Sequence, residues 1–209
     1  MFARVKTLTL FGISALPVKV EVSIHNGLFA FNIVGLAGKS VQESKERVYS
    51  AIRNSGFEMP MRRITVNLSP GDLLKNSSSF DLPIAVAILV ATGQINIATK
   101  DTIFWGELSL EGKTLPTKGA LAIADEARKM NYSQLLLPHI NAKEALIVSG
   151  IDVCAISQLS DLRDIKDASA YMLKRGNNKA INAEIDTGIE NVYDYDYSLI
   201  KGQNLAKRA

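Results

Sequence analysis

The segment Gly106-Glu107-Leu108-Ser109-Leu110-Glu111-Gly112-Lys113-Thr114 comes nearest to a chemical motif, since a phosphate-binding loop also runs from a glycine to a Gly-Lys-Thr ending. One residue too many separates its glycines. A phosphate cradle also needs a Gly-rich loop that opens a helix, so that N–H groups converge on the anion. Here Leu108-Ser109-Leu110 alternates like a strand and Leu115-Pro116 follows closely, which predicts a hairpin turning at Glu111-Gly112 and no bound nucleotide. The serines of the polar loop 69–79 are the second candidate, because a loop between a strand and a helix is where side-chain chemistry often sits. A serine needs an adjacent base to become a nucleophile, and no serine here is marked by one. His25 and His139 have no second His or Cys at ligand spacing, so no metal site is expected. Cys154, the only cysteine, lies in the apolar run 151–156; it reads as core, excludes an internal disulfide and suits a reducing compartment. No catalytic, cofactor-binding or metal residue is therefore expected in this chain.

The net charge of +3 permits a nucleic-acid partner without arguing for one. Lys45, Arg47, Arg53, Arg62, Arg63 and Lys75, with Lys113, Lys118 and Arg128 later, read first as an ordinary solvated surface. Among them Arg53, Arg62 and Arg63 are the candidate phosphate contacts: Arg53 closes a helix, Arg62 and Arg63 open the next strand, and the short stretch 57–61 keeps them close, so they are expected to converge on one surface. No aromatic interleaving or base-reading array accompanies them, which predicts weak, salt-dependent, sequence-indifferent DNA binding.

The elements that must position these residues follow from apolar periodicity. With 47% apolar and 22% charged residues, the 209-residue chain can bury one full core plus a short appendage. Arg4 and Lys6 before the apolar residues 8–13 mimic a secretion signal, but the run is short and broken by Thr9, and it reads as a strand. Residues 18–24 alternate as a half-buried strand, and Asn26-Gly27 predicts a tight hairpin into residues 29–34, so that the chain opens as a β-meander. Ser40-Val41-Gln42-Glu43 has the form of a capping box for a helix ending at Gly56. A strand at 63–68 and a buried helix at 80–92 follow; its apolar run 82–91 is about half the length a bilayer span needs. Beyond the 102–115 hairpin, helices at 118–130, 142–148 and 159–165 alternate with strands at 135–137 and 152–156. The expected class is α/β, an α+β two-layer domain whose mixed sheet is covered by helices on one side. Residues 1–166 form this domain, 167–192 read as a linker, and 193–209 look like the start of a second domain.

Ordered blocks carry a family resemblance: Ile33-Val34-Gly35-Leu36 running into Val41-Gln42-Glu43-Ser44-Lys45-Glu46-Arg47-Val48, then Ala51-Ile52-Arg53-Asn54-Ser55-Gly56-Phe57, Arg63-Ile64-Thr65-Val66-Asn67-Leu68, Phe80-Asp81-Leu82-Pro83-Ile84-Ala85, and Gly106-Glu107-Leu108-Ser109-Leu110. Together they resemble the amino-terminal domain of the ComM/YifB Mg-chelatase-like AAA+ ATPases. The departures are Ala37-Gly38 where the family usually has Pro-Asp, Ser77 near a usual Gly, and Leu199 in place of an Asp. The resemblance implies a Lon-protease/ribosomal-protein-S-five-like fold and a non-catalytic accessory domain. It also implies that residues 200–209 enter an AAA+ module that binds ATP and Mg, with its Walker A loop beyond Ala209. The parent would be a cytoplasmic, ring-forming homo-oligomer acting on DNA, with branch migration in natural transformation as the specific activity and no membrane involvement. Its own AAA+ domain would be this domain's partner.

The domain is more distantly similar to the Ser-Lys peptidase domain of Lon. Alignment puts the Lon nucleophile on Ser79 and its lysine on Leu121, with Phe80 and Asp81 in place of small residues. A Lon-like serine peptidase using Ser79 is one alternative, and a magnesium-chelatase-like motor subunit acting on a porphyrin is another. Without its base, Ser79 is expected to be a helix N-cap.

Overall fold

Alternating side chains build the first two strands. β1 (Phe2–Phe11) and β2 (Ser14–His25) pair antiparallel along their length, from Phe2 opposite Ser23 to Phe11 opposite Ser14. Val5, Val18, Val20 and Val22 turn inward from them. The computed structural model describes residues 1–163 and 172–173, and the remaining elements follow in order. They are β3 (Ala30–Val34), α1 (Lys39–Asn54), β4 (Arg63–Ser69), α2 (Asp81–Ala91), β5 (Thr102–Phe104), β6 (Glu107–Leu108), β7 (Thr114–Leu115), α3 (Ala120–Lys129), β8 (Gln134–Pro138), α4 (Ala142–Ala145), β9 (Asp152–Ile156) and β10 (Met172–Leu173). The main sheet runs β10-β9-β8-β5-β1-β2-β4-β3, and β6 and β7 form the expected hairpin apart from it. Parallel and antiparallel pairs mix, as the α/β reading requires.

The Asn26-Gly27 turn does not close a hairpin. β4 lies between β2 and β3, antiparallel to β2 from Lys19 opposite Ser69 to His25 opposite Arg63, and parallel to β3. A turn dipeptide is a local signal, whereas the strand that fills an edge is chosen by the whole inward row it contributes; Ile64, Val66 and Leu68 of β4 are all fully buried. The opening is thus a β1–β2 hairpin followed by a β3-α1-β4 unit, not a meander.

The capping box does not form either. α1 begins earlier, with Gly38 as its N-cap and no side-chain cap of its own, so Ser40 already lies inside the first turn. Asn76 Oδ1 accepts the Ser40 N–H at 3.4 Å and thereby serves the helix end from a neighbouring loop. At its other end α1 closes as expected: Gly56 N–H donates to Arg53 O and Phe57 N–H to Ile52 O, the Schellman pattern.

α2 is apolar all round because it is buried all round, packed between α1 and strands β1 and β2. α1 and α2 form the second layer, sealing a core with Val20, Val22, Ile64, Val66, Leu68 and Leu136. Cover by helices is one-sided only over β3, β4, the start of β1 and the end of β2; Ala15 at the start of β2 packs under α3. Ile103, Leu135, Leu137, Val153 and Ala155 turn to the reverse face, where they pack with Ala120, Ile123, Ala124 and Ala127 of α3 and with Ala142 and Ala145 of α4. Parallel strands are apolar on both faces and need cover on both, which explains the additional helices there.

The helix expected at 142–148 shortens to α4, and that at 159–165 is a 3-10 turn at Leu159–Arg163. Cys154 is buried in the core, and burial pushes its thiol up to about 11. No helix among the described residues is long and apolar enough to cross a membrane. Of the linker expected at 167–192, only Met172 and Leu173 are described, as β10 against β9. The expected start of a further domain at 193–209 lies outside the described residues.

Candidate functional site

The serine loop between β4 and α2 holds the one candidate nucleophile. Ser77 has extended backbone, and its hydroxyl accepts the Ser79 N–H at 3.2 Å, so Ser77 caps the short turn Ser78–Phe80 that leads into α2. Ser79 is therefore not the N-cap expected of it. It lies inside that turn, 3% exposed, with its hydroxyl 2.8 Å from Ser77 Oγ. Its carbonyl accepts the Gly106 N–H at 3.1 Å, while Leu82 N–H donates to Gly106 O at 3.0 Å, which ties the start of α2 to the chain just before β6. Ser78 Oγ donates to Glu107 Oε2.

Among the described residues no basic side chain hydrogen-bonds the Ser79 hydroxyl. Leu121, at the lysine position of the Lon pattern, is 42% exposed on α3, in the layer across the sheet from α2. Lys118 is exposed in the turn before α3. A serine whose only side-chain partner is another serine hydroxyl keeps its proton at neutral pH and is a poor nucleophile.

Phe80 and Asp81, which follow Ser79 in the chain, are both fully buried. Asp81 accepts from Arg47 Nε at 2.6 Å and Nη2 at 3.1 Å, and from the Leu108 N–H at 3.3 Å. Arg47 Nη2 also donates to Ser40 O and Ser44 Oγ, both at 3.1 Å. This fork joins α1, α2 and β6. The hydrogen bond to Asp81 holds the Arg47 guanidinium above its ordinary pKa, while burial raises the Asp81 carboxyl against the pull of Arg47 and Ser44.

Two residues read as solvated cations are therefore committed to partners inside the fold. Arg47 is the first and Lys75 the second: fully buried, its ammonium donates to Gly35 O at 2.9 Å and to Pro70 O, and burial lowers its pKa. The missed signal was Asp81 itself, a lone carboxylate at the head of an apolar helix, which cannot be buried without a partner.

The segment 106–114 does not fit a nucleotide's phosphates. It folds as the β6–β7 hairpin, Gly106 N–H is committed to Ser79 O, and Lys113 is exposed and paired with Glu111 at 2.9 Å. His25 faces Ser23 at 2.6 Å and His139 sits in the turn after β8; among the described residues no cluster of metal-ligating side chains forms.

Arg53, Arg62 and Arg63 are all exposed but do not share one face. Arg53 stands on α1 over the Tyr49 ring, 5.6 Å from its centroid, and donates to Tyr49 Oη at 3.1 Å. Arg63 alternates with buried Ile64 and so projects from the side of the sheet opposite α1. Arg62 lies in the connection between them.

A family model described as the subunit ChlI of Mg-chelatase matches residues 20–141. The chain is similar to YifB of Escherichia coli (strain K12), 33% identical over 205 residues, covering 98% of this chain and 39% of that protein. It is similar to the competence protein ComM of Haemophilus influenzae, 41% identical over 139 residues, covering 66% of this chain and 27% of ComM. Lon protease 2 of Desulfotalea psychrophila is 25% identical over 174 residues, covering 77% of this chain and 22% of the protease. The chain thus spans well under half the length of the curated relatives it matches.

Proposed function

We propose, from the premise that the chain belongs to the Mg-chelatase ChlI-subunit family with its YifB and ComM relatives, that it is the non-catalytic accessory domain of an AAA+ ATPase that processes DNA. The observation that carries the non-catalytic half is the Ser79 hydroxyl, buried against Ser77 with an exposed Leu121 at the position of the Lon base. The motor half rests on family membership. ATP and Mg would be held by a separate ATPase module whose entry is residues 193–209, and the hairpin at 106–114 would take no part. Such motors work as homo-oligomeric rings, so the partners proposed are the chain's own ATPase module and further copies, in the cytoplasm.

DNA as the substrate is supported by the name competence protein that ComM carries; branch migration by a helicase during natural transformation is its finest form. The domain's own share in DNA binding is assigned to Arg53, Arg62 and Arg63. Phosphate affinity grows with the number of cations acting together, and single-stranded binding loses about 0.7 of log–log salt slope per contact removed. An Arg53→Ala, Arg62→Ala, Arg63→Ala triple variant is therefore expected to bind DNA more weakly and with a shallower salt dependence than the parent chain. Equal affinities across a salt series would remove these arginines from any DNA contact.

The peptidase alternative is separable from this reading. A fluorophosphonate probe is expected to leave Ser79 unlabelled after prolonged incubation. Labelling that disappears in Ser79→Ala would make the domain a serine hydrolase.

A further inference from the structure

The half of the sheet that α3 leaves open is basic. β1, β2 and β4 turn Arg4, Lys6, Lys19, Arg63 and His25 to solvent there, and Glu21, the carboxylate among them, already binds Arg4 at 2.8 Å and Asn67 at 3.1 Å. Lys6 and Lys19 stand directly opposite each other across β1 and β2, an arrangement that repels unless an anion lies between. The Lys6 ammonium lies 4.8 Å from the centroid of the Tyr132 ring and donates to Lys100 O at 2.9 Å.

β4 stops at Ser69 while β2 runs on through Leu16, Pro17 and Val18, and the gap between them is a cavity of about 520 Å³. Its lining includes Leu16, Pro17, Leu73 and Tyr132, with Lys6 and Lys19 among the polar residues around it. Asp72 also lines it and opposes an anion inside, so a bound ligand would place a neutral, flat part within and its charge on the lysines.

We propose that this cleft takes one nucleotide of a single strand, its base against Pro17 and Tyr132 and its phosphates on Lys6 and Lys19, with Arg4 and Arg63 tracking the flanking backbone. An unstacked base can enter such a cavity, whereas a paired one cannot, which selects single strands over duplex. The contacts are apolar or ionic and carry no base-reading array, so binding is indifferent to sequence.

This inference rests on the DNA reading above but names a different surface from the end of α1. Anisotropy of a labelled short oligo(dT) would be followed across a salt series for the chain, for a Lys6→Ala, Lys19→Ala variant and for an arginine variant, Arg53→Ala, Arg62→Ala, that spares Arg63, with circular dichroism as the folding control. The lysine variant is expected to bind about tenfold more weakly, with a salt slope lower by about 1.4 for two lost phosphate contacts. A photoreactive uracil in the strand is expected to crosslink to Tyr132. Unchanged affinity in the lysine variant, with loss in the arginine variant, overturns the cleft and keeps the DNA reading. No binding by the chain at about 50 mM salt overturns the cleft and removes this domain's own share in DNA binding, leaving the family-based reading of the motor in place.

Discussion

Arg47→Ala is expected to destabilise the domain by about 3–5 kcal/mol, as breaking a buried pair from one side generally does. The two partners are unequal: the Arg47 side chain is 20% exposed and can reach water, while Asp81 is 0% exposed and cannot. Removing the arginine strands a carboxylate in the core; removing the carboxylate lets the arginine swing outward, so Asp81→Ala is expected to cost less. Burial already raises the Asp81 pKa, and loss of Arg47 raises it further. A group whose folded pKa lies above its unfolded value contributes most below the unfolded pKa and loses that contribution as pH rises through the folded one. The deficit of Arg47→Ala is therefore largest at neutral pH and narrows as pH falls toward the ordinary carboxylate range. Urea midpoints at constant m-value measure both effects. A loss that does not change between neutral and mildly acidic pH would mean that the stranded charge is not its source.

The same pair stands beside Ser79, the candidate nucleophile. Where the Lon pattern has small residues after its nucleophile, this chain has Phe80 and Asp81, and the Asp81 oxygens accept from Arg47 of α1 and from the Leu108 N–H. Ser79 is held by its own backbone contacts to Gly106. The loop clamps α2 to β6, and the partner of the Ser79 hydroxyl is Ser77 Oγ.

What was legible in the sequence was what is written locally. Alternation located β1, β2 and β4, the uniform apolar run located α2, and Gly56 located the end of α1. What was not legible depends on partners distant in the chain. Asn26-Gly27 announces a turn but says nothing of β4 entering between β2 and β3. Ser40-Val41-Gln42-Glu43 announces a cap, yet Gly38 starts the helix and Asn76 serves it from 36 residues away. Arg53 and Arg63 are close in sequence, but a helix and a strand on one layer boundary send them to opposite sides of the sheet. Lys6 and Lys19 are separated in sequence and meet only through the β1–β2 register. Pairing register, not composition, made the basic open face.

Gly35→Ala is expected to cost more than about 4 kcal/mol, enough to leave the chain largely unfolded. Gly35 follows β3 with φ of +99°, and a Cβ there would lie 2.0 Å from Leu68 O and 2.8 Å from Leu68 C. Those atoms are backbone in β4, a strand paired on both sides, so they cannot withdraw without breaking its ladders with β2 and β3. The Gly35 carbonyl also accepts the buried Lys75 ammonium, so a shift there would strand a second buried charge. Gly12, at the tip of the β1–β2 hairpin, separates the two causes. Its φ of +60° also suits glycine, but nothing lies within 4 Å of a Cβ built on it. Gly12→Ala pays conformational strain alone and is expected to cost about 1–2 kcal/mol. Soluble yield and urea unfolding of the two variants, compared side by side, decide the matter. If both lose the same small amount, β4 yields to the added methyl, and the close passage of the 35–38 loop over Leu68 is not what fixes this end of the sheet.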